Sequence, residues 1–204
     1  WVLEFESHDA ATYAHTWIEN TERNNREQHS ELFDHWMRYY EAQQIVGVSA
    51  GMLCLRRTDG RPGWFRADKL PPGRPTALGS DVLRGFAQQD LLGELSRDED
   101  LLAQQLEVSP QVRLEQTFRS EHGNWRVEGV LLRQVSGFKF SGDADQVITG
   151  LLMKLNGQRS LAEAVAAVAD ESGIPIDQLQ PVTLEVVRRL IGQDFLQTRT
   201  EAAL

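Results

Sequence analysis

The sequence predicts an α+β chain that closes in a compact three-helix unit with a short returning strand. Three observations predict it. Between Phe138 and Leu196 three helix signals follow one another, each with its own stop. Upstream, stretches of period-2 alternation take turns with stretches of helical spacing. Hydrophobic residues make up 41% of 204 positions, enough core for one domain or two small ones.

In chain order, Val2 and Glu4 alternate with Leu3 and Phe5, which predicts a strand over Trp1–Glu6. A chain that begins with Trp1 in mid-strand, without methionine, reads as cut from something longer. Asp9 is placed to cap a helix carrying Tyr13, Ala14, Trp17 and Ile18, and the polar run 20–25 interrupts it. Leu32, Phe33, Trp36, Met37 and Tyr40 then recur at the spacing of a broad apolar helix face. Val46 to Leu55 is nearly all apolar or small and is expected to be a strand covered on both faces. The run 56–63 turns the chain, and Trp64–Asp68 is expected to return as its antiparallel partner, forming a hairpin. Prolines fix φ and lack a donor, so the run 70–75 reads as a linker.

Beyond it, Ser80 is expected to cap a short helix with Val82, Leu83 and Phe86. Ser96 and Glu99 fit a capping box ahead of Leu101, Leu102 and Leu106. Val112, Leu114, Gln116 and Phe118 alternate with Arg113, Glu115, Thr117 and Arg119, and the run 121–124 turns into Trp125, Val127 and Val130–Leu132, a second hairpin. In the last stretch Val147, Ile148, Leu151, Leu152 and Leu155 mark a helix that stops at Asn156-Gly157. Ser160 and Glu163 form a capping box before Leu161, Val165, Val168 and Ala169, and Gly173 ends that helix. A third helix is expected from about Gln178 or Pro181 through Val182, Val186, Leu190 and Ile191, with Phe195-Leu196 as a short strand. Helix, helix, helix and returning strand read as a winged-helix-like unit. The expected segments are therefore 1–72 (strand, helices, hairpin), 73–137 (connecting helices and second hairpin) and 138–204 (winged-helix-like).

A formal charge of −9 and a pI near 5.1 argue against an extended phosphate-binding surface, which needs Lys and Arg to displace counterions. No apolar run approaches the roughly 20 residues that cross a bilayer, and the start lacks a signal-peptide pattern, so a cytoplasmic chain is expected. One cysteine, Cys54, allows no intramolecular disulfide and reads as a packed thiol. The histidines His8, His15, His29, His35 and His122 show no i, i+4 pair, so a metal site is not expected, and His29, Asp34 and His35 read as a solvated helix face. Gly47-Val48-Ser49-Ala50-Gly51 has the letters of a nucleophile elbow, but strand-like Met52–Leu55 follows where a helix is required. Its small residues read instead as a place where a neighbouring layer comes close. There is no Gly-x-Gly-x-x-Gly and no Walker loop to seat a nucleotide-type cofactor. Arg56, Arg57, Arg61 and Arg66 gather around the first expected hairpin with Trp64; Arg56, Arg57, Trp64 and Arg66 are the candidate substrate or partner contacts, against the plainer reading of solvated hairpin tips.

The runs 36–41, 45–57 and 63–66, with Arg84-Gly85-Phe86, the run 113–116 and Asp194-Phe195-Leu196, resemble the C-terminal part of bacterial class I methyltransferases that use S-adenosylmethionine. The resemblance implies that residues 1 to about 70 end a Rossmann-like sheet: Trp1–Glu6 a late parallel strand, Val48–Arg57 with Trp64–Asp68 the closing hairpin. It also implies that the S-adenosylmethionine site lies upstream, outside these residues, so that no catalytic, cofactor or metal residue is assigned here and this piece alone is inactive. The stretch from Leu151 to Leu196 is similar to peptide-binding winged helices such as those that recognise leader peptides, where a peptide adds a strand to a sheet edge. Residues 141–204 carry five basic against nine acidic side chains, unfavourable for docking in a DNA groove.

The leading expectation is thus the substrate- or partner-binding C-terminal region of a methyltransferase, acting on a protein or a small molecule. The alternative is a stand-alone peptide-recognition or scaffold module, and a third reading is a DNA-binding regulator. Cut from its neighbours, Trp1–Glu6 and the face of Trp36 and Tyr40 would be left uncovered, and the chain would be expected to pair edges or form a homodimer.

Overall fold

The computed structural model describes residues 1–21, 26–58, 60, 62–71, 76 and 79–198. Residues 22–25 of the expected interruption, Asp59 and Arg61 of the expected turn, and 72–75 of the expected linker lie outside the described residues. The chain is a mixed α+β protein that divides into two compact units, Trp1–Arg74 and Pro75–Leu204, each taken by itself.

The first unit runs β1 (Val2–Asp9), α1 (Ala10–Thr21), α2 (Arg26–Ala42), β2 (Gly47–Leu53) and β3 (Ala67–Lys69). Asp9 starts α1 by accepting the Thr12 amide at 2.8 Å, one of the orphan donors of a helix start. α2 ends in a Schellman turn: Gln44 is left-handed (φ 55°), the Ile45 amide reaches the Tyr40 carbonyl at 2.8 Å and the Gln44 amide reaches Glu41 at 3.1 Å. The helices bury Ala10, Ala14 and Tyr40 together, with Tyr13, Phe33, Trp36 and Met37 packed around them. Trp36 meets Tyr40 edge to face at 6.0 Å. The aromatic face of α2, expected to be uncovered, finds its neighbours on α1.

Three strands form a sheet in the order β2-β1-β3, with β1 antiparallel to β2 and parallel to β3. The first expected hairpin is therefore corrected: β2 and β3 do not pair, because β1 lies between them. Over Val2–Glu4, β1 is bonded to a strand on each side, and Leu3 is fully buried. A second correction concerns β2, an edge strand rather than a strand covered on both faces: Val46, Leu53 and Leu55 around it are 88%, 64% and 82% exposed. The glycines of the false elbow serve strand pairing. A Cβ at Gly47 would lie 2.9 Å from the His8 carbonyl oxygen, and one at Gly51 would collide with the Leu3 carbonyl beside the bulge at Glu4–Glu6.

The second unit runs α3 (Gly79–Glu94), α4 (Asp98–Leu102), β4 (Gln105–Val108), β5 (Val112–Glu121), β6 (Asn124–Gln134), β7 (Ser141–Asp143), α5 (Gln146–Lys154), β8 (Asn156–Ser160), α6 (Leu161–Ser172), α7 (Ile176–Gly192) and β9 (Leu196–Thr198). Ser80 lies inside α3, which is longer than expected. The Ser96–Glu99 capping box does not form; the residue before α4 is Arg97, whose guanidinium grips Asp100 at 2.7 and 2.8 Å instead. Leu106 belongs to β4, not to a helix, and is fully buried.

β5 and β6 form the expected hairpin around His122-Gly123, whose φ values of 49° and 84° are those of a type I′ turn. β7 adds to β6, giving the order β5-β6-β7. A separate sheet, β8-β4-β9, takes its middle strand from residues 105–108, upstream of the last three helices. The Ser160–Glu163 capping box is complete: the Glu163 amide donates to Ser160 Oγ at 3.3 Å and Glu163 Oε2 accepts the Ser160 amide at 2.8 Å. Gly173 is left-handed (φ 69°) and closes α6. α7 begins at Ile176, earlier than expected, and places Pro181 in its interior. Leu151, Leu161, Val165, Val187 and Ile191 of the three helices, and Leu101, Leu106 and Leu196, are all fully buried, each such burial contributing about 1.5–3 kcal/mol.

Candidate functional site

The second unit holds a cleft of ≈ 800 Å³ between the open side of β7, the first turn of α5 and the last turns of α7. Its floor is apolar. Val130 and Leu132 face it from β6, and Val186, Leu190 and Phe195 close it from α7 and the turn beyond. Its rim is charged, with Glu128, Asp143 and Asp145 on the sheet side and Arg189 on α7. Such a volume and such a mixture of apolar walls with a few polar groups suit a bound ligand or chain segment.

Local chemistry fixes each wall. Asp145 caps α5 by accepting the Ile148 amide at 2.7 Å, which anchors the first turn beside β7. α7 ends in a Schellman turn whose left-handed residue is Asp194 (φ 62°), not a glycine. There the Phe195 amide bonds Leu190 O at 2.8 Å and the Asp194 amide bonds Ile191 O at 2.9 Å. Two side chains hold this turn. Buried Gln134 donates from Nε2 to the Gln193 carbonyl at 2.6 Å while its Oε1 accepts the Phe140 amide at 3.2 Å, tying α7 to the β6–β7 connection. Asp194 pairs with Arg84 Nε at 2.9 Å and accepts from Gln88 Nε2 at 3.3 Å, tying the same turn to α3. Arg84 is shared with Asp81. Burial pushes the Asp194 carboxyl above the usual range, and the Arg84 charge and Gln88 bond offset this only in part. The residues quoted for the sequence resemblance, Arg84 and Asp194, are thus brought into contact across 110 positions.

Along β7 the backbone pattern is definite. The Ala144 amide bonds Val130 O at 2.9 Å and the Gln134 amide bonds Phe140 O at 3.0 Å, and the register pairs Gly142 with Leu132. Since bonded and non-bonded pairs alternate in an antiparallel ladder, Ser141 and Asp143 direct their N–H and C=O groups away from β6. All three β7 residues are exposed.

The residues proposed from sequence lie elsewhere, in the first unit. Arg56 and Arg57 are exposed and follow β2, and Trp64 is half-buried ahead of β3. Arg66 packs rather than waits: its Nε meets Asp68 Oδ2 at 2.6 Å, its Nη2 donates to Oδ1 at 3.0 Å, and it lies 5.3 Å from the centre of the Trp1 ring. The Trp1 indole N–H completes the cluster by donating to Asp68 Oδ2 at 2.6 Å. Ser49 donates to Ser7 Oγ at 3.2 Å on the exposed sheet surface. His15 and His29 meet edge to face at 6.2 Å across α1 and α2, yet among the described residues no three metal-ligating side chains converge. No helix of the described residues is long and apolar enough to cross a membrane. Sequence reasoning missed the cleft because β7 is three residues of Ser-Gly-Asp with no apolar alternation; the only signal was the approach of Asp145 to an apolar helix.

No curated protein matches the chain. Residues 84–197, more than half of the chain, match the model of the domain of unknown function DUF7782, and this span contains the whole cleft. The chain belongs to the DUF7782 family.

Proposed function

We propose that this chain is the substrate- or partner-binding C-terminal region of an S-adenosylmethionine-dependent methyltransferase, and that the cleft beside β7 is where the substrate or partner engages. The cleft is the observation that carries the binding role: a built, charged-rimmed hollow inside the matched family span. The methyltransferase part rests on the sequence resemblance, and two features of the first unit support it. β1 has both a parallel and an antiparallel neighbour, as expected near the end of a Rossmann-like sheet. Val46, Leu53, Leu55 and Phe65 leave that sheet with exposed apolar flanks suited to further covering layers. In the second unit the order α5, β8, α6, α7, β9 supports the winged-helix-like reading, with β4 as the extra strand.

On this reading the cofactor site lies outside these residues, and no residue here is given a catalytic role. Calorimetry with S-adenosylmethionine tests it. The 204-residue chain should give no binding heat, whereas the longer product of its gene should bind; tight binding by this chain alone, or none by the longer product, contradicts the reading. A stand-alone peptide-binding module is the second reading, favoured by the open edge of β7. DNA binding is not favoured: on α7, Arg188 is held by the Leu95 carbonyl at 2.6 Å and Asp98 at 2.9 Å, leaving acidic groups to dominate this part of the chain.

A further inference from the structure

We propose that the cleft takes an extended, basic polypeptide segment that adds to β7 as a fourth strand of the β5-β6-β7 sheet. This deepens the binding role proposed above and rests on it. The first argument is the backbone. Ser141 and Asp143 present two donors and two acceptors along one line, a spacing that the main chain of a peptide matches and a compact metabolite does not. Gly142 between them carries no side chain, and a Cβ built there would touch nothing, so the face of β7 beside Leu132 is open.

The second argument is charge. Three carboxylates, Glu128, Asp143 and Asp145, stand on the rim against the single guanidinium of Arg189. Glu128 also meets Arg119 at 3.4 Å, an exposed pair that contributes little, and Asp145 accepts the Ile148 amide at the start of α5. Asp143 has no ion-pair partner among the described residues and flanks the open amides directly. An incoming Lys or Arg therefore gains here and an incoming Asp or Glu loses, a discrimination that falls as salt rises. The third argument is the floor. A strand laid along β7 alternates its side chains, so every second one points toward Val130, Leu132, Val186 and Leu190 while the others face the acidic rim. The preferred segment alternates apolar and basic residues.

The test uses the 204-residue chain and fluorescein-labelled heptapeptides read by anisotropy. The probe is acetyl-Lys-Val-Lys-Val-Lys-Val-Lys-amide. The proposal expects it to bind at least tenfold more tightly than the Glu/Val counterpart, and to lose at least tenfold when alternate backbone amides are N-methylated. Ser141→Pro removes an outward N–H without touching the bonds to β6 and should weaken binding tenfold. Should that variant misfold, Asp143→Asn decides, with a severalfold loss and a shallower salt dependence. Equal binding of acidic and basic peptides, indifference to N-methylation, or full competition by lysine amide alone overturns the proposal. So does a dimer of this chain that Ser141→Pro dissociates, since the edge would then belong to a second copy. Failure here with cofactor binding intact in the longer gene product rejects only the peptide; peptide binding with no cofactor binding there rejects the methyltransferase.

Discussion

Replacing Asp194 separates two opposing effects at the turn that forms one wall of the cleft. Asp194→Gly removes about 1 kcal/mol of left-handed backbone cost, since glycine enters this region freely. The same change deletes the acceptor of Gln88 and the partly buried partner of Arg84. A hydrogen bond to a charged group is worth roughly 1.5–3 kcal/mol, and the half-exposed Arg84, which keeps Asp81, adds less than about 1 kcal/mol. The net expectation is a loss of about 1–2 kcal/mol. Asp194→Asn keeps both the tolerance of positive φ and a hydrogen bond to Gln88 and no longer buries a charge, so it should change stability by less than about 0.5 kcal/mol. The sign of the pH dependence also follows. Burial raises the folded-state pKa of Asp194, so its contribution is most favourable below the unfolded carboxyl value and declines as pH rises through the window up to the raised value. Asp194→Asn should abolish that decline. Urea denaturation read by peptide-resolved hydrogen exchange across α7 measures both. An Asp194→Gly chain as stable as the wild type or more so refutes the clasp.

Further predictions concern the frame around the site. Ser160→Ala breaks the capping box and should cost about 1 kcal/mol in urea denaturation. Glu163 is held below the usual carboxylate range chiefly by the Ser160 amide, so its contribution is present above the unfolded carboxyl value and lost as pH falls through its lowered pKa; the gap between wild type and Glu163→Gln should narrow in acid. Gly51→Ala drives a Cβ against the Leu3 carbonyl, and a loss of about 1–3 kcal/mol with faster exchange of β1 amides is expected; an unchanged unfolding curve would count against the register of β1 and β2. Arg188→Met frees the Leu95 carbonyl and Asp98 and should loosen α7 against the α3–α4 connection, seen as faster exchange in both segments.

Much of the helical half of the fold was legible because its signals are local. Asp9, Ser160 and Gly173 each act within one turn of their own positions, and α1 and α6 begin or end where those residues place them. The second hairpin was legible for the same reason, since His122-Gly123 sets its turn directly. Pairing between distant strands was not. Nothing near Gly47 or Ala67 tells that β1 passes between them, because that outcome depends on satisfying both edges of β1 and on glycines whose freedom matters only against Leu3 and His8. β7 and β8 are short and polar, so their strand character comes from partners rather than from alternation. The arginines around Trp64 stood out by type, yet Arg66 serves packing with Trp1 and Asp68. Asp194 drew notice only within a resemblance; its role needed Arg84, 110 positions away.

Amide hydrogen exchange at single-residue resolution along β7, with and without saturating Lys/Val heptapeptide, tests the binding claim most directly. Ser141 and Asp143 amides, which point away from β6, should slow at least tenfold, while the Gly142 amide, already paired with Leu132, should not change. Unaltered exchange at Ser141 and Asp143 under saturating peptide would place the segment elsewhere and contradict the account.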